Sequence, residues 1–203
     1  MKNIFRLAFV LLAVVSIFSC ATNKSMRRHE VRPISRDLRE KGTRTAAELA
    51  AFFMANEPGA DRDEVARLAA LYVREAGVEG INSDCAFAQM CHETGFLKFG
   101  NLVVKEMHNY AGLGAMNAEN PGEWFETEEL GVRAQIQHLK AYAYPEGTPL
   151  HNELVDNRYK WVKKGSATTI FELAGRWAGD KEYGEKLDRI LKRMEEFEVG
   201  QSW

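Results

Sequence analysis

The stretch Ala86-Phe87-Ala88-Gln89-Met90-Cys91-His92-Glu93-Thr94-Gly95-Phe96 carries the side chain best placed to do chemistry. Glu93 falls in the last turn of a strongly apolar helical pattern, just ahead of Gly95, a residue type that closes helices. The end of a helix carries partial negative charge and apolar neighbours remove water, and both disfavour an ionised carboxylate. Glu93 is therefore expected to keep its proton to higher pH than a free glutamate. A glycosidase needs such a group to protonate a departing sugar oxygen. A partly exposed glutamate at a frayed helix end would leave the same trace in the sequence. Downstream, Asn109-Tyr110-Ala111-Gly112-Leu113-Gly114-Ala115 mixes small residues with an amide and a phenol. Gly112 and Gly114 would let a ligand approach the backbone, with Asn109 and Tyr110 as polar partners; a tight structural loop would look alike. Phe96, Phe99, Trp124 and Phe125 could offer faces to pyranose rings, although aromatic residues at such spacing also build cores.

The elements that must hold these residues read as helices. Thr45-Ala46-Ala47-Glu48 has the form of a capping box and opens an apolar run, Leu49 to Met54, that stops at Pro58-Gly59. Asp61 can cap a second helix, where Val65, Leu68, Ala69, Tyr72 and Val73 recur at three and four residues and Gly77 and Gly80 end the pattern. The third helix begins near Asn82-Ser83 and delivers Glu93. From Phe96 to Phe125 the periodicity fails, as in a loop or short hairpin beside a cleft, where sites tend to lie. Helical spacing returns from about Thr127 to Tyr144. A second capping box at Thr169 to Glu172 predicts a helix through Trp177, and a last helix is expected from about Lys181 to Phe197. The fold class expected is α+β, mostly helical, with a small hairpin or loop lobe.

At 203 residues, 45% apolar and 28% charged, the chain has room for one globular domain and a tail. Lys and Arg (27) nearly balance Asp and Glu (29), so no global field favours nucleic acid, and none is expected as a partner. Three cysteines are too few for a disulfide scaffold. Cys85 and Cys91 sit six apart in a helical pattern, a rise of about 9 Å, beyond the roughly 7 Å that a disulfide spans. They are expected to be buried free thiols. The five histidines are scattered, and neither a metal nor a cofactor is expected.

The first residues form a segment of their own. Lys2 and Arg6 precede an unbroken apolar run, Leu7 to Val15, and then Ser16-Ile17-Phe18-Ser19-Cys20. A basic end, a short apolar core and a small residue before the cut describe a secretory signal; a bilayer span needs roughly 20 apolar residues. Residues 1–19 are read as a signal peptide. Ser19-Cys20 resembles the lipobox of bacterial lipoproteins, with Phe18 bulky for that motif; the likeness implies acylation of Cys20 and a membrane contact through lipid. Ala21 lacks the aspartate that holds lipoproteins at the inner membrane, so the outer membrane, facing the periplasm, is expected. Residues 20–44 are polar and basic without a helical stripe and read as a flexible tether; 45–203 read as the domain.

Several motifs then fall in one order. Glu93-Thr94-Gly95-Phe96, Phe99-Gly100, Asn109-Tyr110-Ala111-Gly112-Leu113-Gly114, Gly131 to Leu139, Leu173-Ala174-Gly175-Arg176-Trp177-Ala178 and Tyr183-Gly184-Glu185-Lys186-Leu187 together resemble the bacterial endo-β-N-acetylglucosaminidases of glycoside hydrolase family 73. The similarity spans roughly Thr45 to Met194. It implies a lysozyme-like fold, peptidoglycan glycan strands as partner, and cleavage of the β-1,4 bond after N-acetylglucosamine by a monomer. By the same resemblance Glu93 is the general acid and Tyr183 supports it from the cleft wall, unless that tyrosine merely packs between helices. Asn109 and Tyr110, with Gly112, Gly114, Phe96 and Trp124, would contact substrate. A second carboxylate is sought among Glu119, Glu123, Glu126, Glu128 and Glu129, with Glu123, beside Trp124, first. A lytic transglycosylase, or a wall-binding lipoprotein that has lost the reaction, are the alternatives.

Overall fold

The computed structural model describes residues 32–100 and 102–197. Helices α1 (Ala46–Asn56), α2 (Arg62–Glu79), α3 (Ser83–Glu93), α4 (Glu128–Ala143) and α5 (Tyr183–Glu196) carry the fold, with 3-10 turns at Lys105–Met107, Tyr159–Trp161 and Phe171–Leu173. Each of the first three helices starts where a side chain can satisfy its free amides. The Thr45 hydroxyl accepts from the Glu48 amide (3.2 Å) while the Glu48 carboxylate accepts from the Thr45 amide (2.8 Å). Asp61 accepts from the amides of Asp63 and Glu64, and Asn82 from those of Asp84 and Cys85. Gly80 ends α2 with φ +75°, a conformation that costs glycine nothing.

Helix α3 is the centre of the molecule. Every residue from Ser83 to Cys91 is buried, and the helix packs against α2 and α5, while α2 packs in turn on α1 and α4. Phe53, Tyr72 and Phe87 meet edge to face around it. The helix is enclosed nearly all round, and its buried polar side chains Asp84 and Gln89 are hydrogen-bonded to the Thr43 amide and the Tyr183 hydroxyl. Only its last turn, at Glu93, reaches a surface. Cys85 and Cys91 are buried free thiols, as their spacing predicts. Helix α4 can lie against the loop before it because Gly131 has no side chain: a Cβ there would fall 1.8 Å from the His108 carbonyl oxygen.

The sequence reading departs from the structure at three places. First, the box at Thr169–Glu172 forms, with the Glu172 carboxylate accepting from the amide of Thr169 (3.1 Å) and also from that of Thr168 (2.7 Å). It opens one 3-10 turn, Phe171–Leu173, and the chain then leaves helical geometry at Ala174. Second, of the loop or short hairpin expected from Phe96 to Phe125 the structure takes the loop: no strand occurs among the described residues, and a turn is tightened at Asn117–Asn120, with the Glu123 amide donating to the Leu113 carbonyl (2.8 Å). Third, residues 32–44 are not a tether. Ile34 and Leu38 are buried in the main core, and the Arg36 guanidinium pairs with Asp188 (2.7 Å) and Glu195 of α5. The Leu38 amide donates to the Thr168 carbonyl (2.8 Å) and its carbonyl accepts from the Asn82 amide (2.8 Å). Two apolar residues four apart were too short a pattern to stand out among so many charges. The signal segment and Cys20 lie outside the described residues.

Candidate active site

Glu93 leaves the end of α3 into a groove. One cavity of about 230 Å³ is lined by Glu93, Thr94, Phe99, Leu102, Asn109 and Gly112. A second, of about 250 Å³, continues on the far side of Gly112 and Ala115 toward Trp161, Trp177, Arg158 and Arg176. The floor between them is the Gly-Leu-Gly strip. Gly112 has φ +64°, and a Cβ there would stand 3.8 Å from Oε2 of Glu93, inside the groove. The loop that follows α3 is wound tightly: Phe96, Leu97 and Phe99 all take positive φ (58°, 61° and 54°). Conformations of this kind cost bulky residues energy and persist where the surroundings fix them.

The two oxygens of Glu93 have different duties. Oε1 accepts from the Trp177 indole N–H (3.1 Å) and from the Tyr183 hydroxyl. An indole nitrogen can only donate, so Oε1 is held as an acceptor. When the carboxyl is protonated the proton therefore sits on Oε2, the oxygen that faces Gly112 and the groove. Burial raises the Glu93 pKa above the ordinary carboxylate range, and the hydrogen bonds from Tyr183 and Trp177, which favour the ion, pull it back only in part.

The Tyr183 hydroxyl is itself fixed by a buried chain of side chains. Its oxygen accepts from Nε2 of Gln89 (2.9 Å), whose Oε1 accepts from Nε2 of Gln135 (2.8 Å). Gln135 also donates to the Ala86 carbonyl (3.1 Å) and accepts from the Tyr72 hydroxyl (2.5 Å). A backbone carbonyl only accepts, so it sets which end of the Gln135 amide faces it. That choice orients Gln89, and Gln89 leaves the Tyr183 proton one destination, Glu93. Tyr72, Gln89, Gln135 and Tyr183 are all at most 2% exposed. The Tyr183 pKa stands well above its ordinary value because of burial and the neighbouring carboxylate, so the hydroxyl stays a donor. Helix α5 can bring Tyr183 this close because Gly184 packs on the Phe171 turn, where a Cβ would meet Phe171 Cα at 2.5 Å. Trp177 is set by His138 (centroids 5.0 Å apart, edge on) and Tyr142, and His138 by Asp156 (2.7 Å).

The match that decides the family covers residues 69–196, which fit the glucosaminidase model described as mannosyl-glycoprotein endo-beta-N-acetylglucosaminidase. The chain belongs to the glucosaminidase family. A protein of Borreliella burgdorferi, described as uncharacterized, is 38% identical to it over 198 residues, covering 93% of this chain and 95% of the relative. Among solved structures, S. aureus Autolysin E in complex with the muropeptide NAM-L-Ala-D-iGlu is similar, with a TM-score of 0.50 and 12% identity over 82% of this chain and 74% of that one. At that identity the likeness concerns the fold, and it agrees with the mostly helical, lysozyme-like architecture expected for the family.

Against this frame the expected site residues divide. Glu93, Asn109 and Gly112 line the first cavity and Gly112 and Gly114 the second. Asn109 acts through the loop: its amide donates to the carbonyls of Leu113 (2.9 Å) and Glu123 (3.1 Å), and its Oδ1 accepts from the Leu113 amide (2.9 Å). Tyr183 is buried and bonded to Glu93 at once, so packing and contact are not alternatives here. Tyr110 is a correction. It is 2% exposed and part of the main core, because the chain reverses at Gly112 and does not present alternate residues to the groove. Phe96 also turns inward, its ring 5.3 Å from that of Phe53; Phe99 takes the groove position. Trp124 is 63% exposed and, with Glu123, lies outside the lining of both cavities. The Glu123 carboxylate accepts from the Asn157 amide (3.1 Å) and packs against Gly114.

The sequence reading gave no site role to Gln89, Gln135, Trp177, Arg158, Trp161 or Arg176. Gln89 had a usable signal, since it stands one helical turn before Glu93 and so on the same face. The others are brought in by tertiary packing alone.

Proposed function

We propose that the chain is a peptidoglycan hydrolase that cleaves the β-1,4 bond after N-acetylglucosamine, with Glu93 as general acid. The observation that carries this reading is the division of labour on one carboxyl: Oε1 restrained by Tyr183 and Trp177, Oε2 open to the groove, and burial holding the proton. Protonation of the leaving oxygen from Oε2 is the step this arrangement favours. Asn109 and the glycines shape the floor beneath the strand, and Tyr183 acts on the acid rather than on the sugar. Glu123, tied to Asn157 behind Gly114, serves as a second carboxylate only if substrate draws it across the strip. Family membership and the muropeptide bound by Autolysin E support the choice of polymer.

The N-terminal pattern supports a lipoprotein of the outer membrane, acylated on Cys20 and facing the periplasm. An activity gel on purified peptidoglycan, followed by mass spectrometry of the products, tests the assignment. Wild type should release N-acetylglucosamine reducing ends and Glu93→Gln should release almost none. Anhydro-muramyl products would make the protein a transglycosylase, and full activity of Glu93→Gln would remove the acid.

A further inference from the structure

The second cavity holds charge that the fold does not neutralise. Arg36, Arg39, Arg67, Arg74 and Arg133 each face a carboxylate. Arg158 and Arg176 face none among the described residues. The Arg176 guanidinium donates to a backbone carbonyl, that of Glu172 (2.7 Å). The Arg158 guanidinium lies 5.1 Å from the centroid of the Trp161 ring, and the Lys160 ammonium 5.4 Å from it. Asp156, the acid nearest in sequence, has one oxygen on His138 and the other on the Arg158 amide. Glu123 packs behind Gly114 with its carboxylate on Asn157. Trp161 itself is 64% exposed, and Met116, which also lines the cavity, 66%. An exposed indole with one guanidinium 5.1 Å from its ring, and a second guanidinium lining the same cavity, neither facing a carboxylate, can hold a sugar and bind an anion that the sugar carries.

From this we infer that the cavity beyond Gly112 is a subsite for a carboxylate-bearing amino sugar, with Trp161 as platform and Arg158 and Arg176 as the anion's partners. The inference rests on the peptidoglycan reading and narrows it. In that polymer every second sugar carries a lactyl ether whose carboxyl is either free or extended by a peptide with carboxylates of its own. A neutral N-acetylglucosamine polymer carries neither. The first cavity, lined by Phe99, Leu102 and Val103, offers no comparable charge and suits the uncharged sugar. The groove would thus read strand polarity by charge on one side of Glu93 and its absence on the other.

Calorimetric titration of the full chain carrying Glu93→Gln tests this, because bound glycan then survives. The ligands are the disaccharide-peptide, the peptide-free disaccharide acid and di-N-acetylglucosamine. At least one acid should bind about tenfold or more tightly than the neutral sugar, one charge-assisted contact being enough for that ratio. Adding Arg158→Gln and Arg176→Gln should close the gap, and Arg158→Lys with Arg176→Lys should restore part of it. A gap shown by the peptide-free acid assigns the lactyl carboxyl; one shown by the peptide form alone assigns the stem. Equal affinities for all three ligands, or a gap that survives both glutamines, would overturn the inference. Failure of the hydrolase reading is seen separately, as wild type that releases no reducing ends from cell walls.

Discussion

Replacing Gln135 by methionine should change the pH dependence of cleavage from inside the core. Gln135 is fully buried and reaches Glu93 only through Gln89 and Tyr183. Its amide is what keeps the Gln89 carbonyl turned away from Tyr183. Without it Gln89 can rotate, its carbonyl can accept the Tyr183 proton, and Glu93 shares or loses that donor. A hydrogen bond to a charged group contributes about 1.5–3 kcal/mol, and one pH unit corresponds to about 1.4 kcal/mol. The sign follows from which form the bond favours. Tyr183 stabilises the ionised carboxyl, so losing it lets Glu93 hold its proton to higher pH, and the alkaline limb of kcat/KM moves up. Complete loss corresponds to about one to two pH units, and Gln135→Met should give a part of that. The freed Tyr72 hydroxyl and Ala86 carbonyl should lower stability by about 1–3 kcal/mol. The assay is release of reducing ends from purified peptidoglycan across pH for Gln135→Met, Tyr183→Phe and the pair. The double variant should share the limb of Tyr183→Phe. A further shift in the double variant, or an unmoved limb in folded Gln135→Met, would refute the relay.

Three more outcomes are expected. Gly112→Ala should lower kcat about tenfold or more, since a methyl would stand 3.8 Å from Oε2 of Glu93, while the positive φ costs about 1–2 kcal/mol seen as a lower Tm. Relative to a chain that starts at Arg32, one that starts at Thr45 should be less stable by about 3–6 kcal/mol, the burial of Ile34 and Leu38, measured by denaturant unfolding. Lys140→Met should cost about 3–5 kcal/mol, because it strands the buried Glu79 carboxylate 2.7 Å away, and adding Glu79→Gln should recover much of that loss. Burial pushes the Glu79 carboxyl up, but Lys140 and the amides of Asn152 and His151 outweigh it and hold the pKa below the usual value. Its contribution should therefore be present at neutral pH and fade as acid protonates the folded protein; an acid limb of stability unaltered in the double variant would count against it.

What the sequence revealed and what it hid follow from the range of the forces involved. Helix starts depend on residues three apart, so Thr45, Asp61 and Asn82 could be read directly. The Thr169–Glu172 box obeyed the same local rule, yet whether a helix continues beyond it depends on packing, and here the chain turns away at Ala174. Glu93 was legible because the property that matters, a carboxyl at the end of an enclosed helix, is written into eleven consecutive residues. Tyr110 was misread because residue type does not reveal which way a side chain turns, and the chain bends at Gly112 and Gly114, both at positive φ, with Tyr110 left in the core. The partners of Glu93 come from sequence separations of 84 and 90 residues, and no local pattern could have indicated that Trp177 and Tyr183 share one oxygen.

In the role proposed for Glu93, that sharing bears on how the carboxyl is tuned. Burial alone would push Glu93 toward a carboxyl that never ionises, and an acid that never ionises cannot release its proton to a leaving group. Donors alone would hold it as an ion with no proton to give. Around Glu93 the two oppose each other, and the donors bond Oε1 without occupying Oε2, the oxygen that faces the groove. Because the Tyr183 proton is aimed by an α3 carbonyl through two glutamine amides, the balance is fixed by the same buried helix that carries Glu93. Trp177 and Tyr183 should for that reason be unequal. Trp177→Phe removes a donor and leaves the relay whole, whereas Tyr183→Phe removes the donor and strands the Gln89 amide in the core.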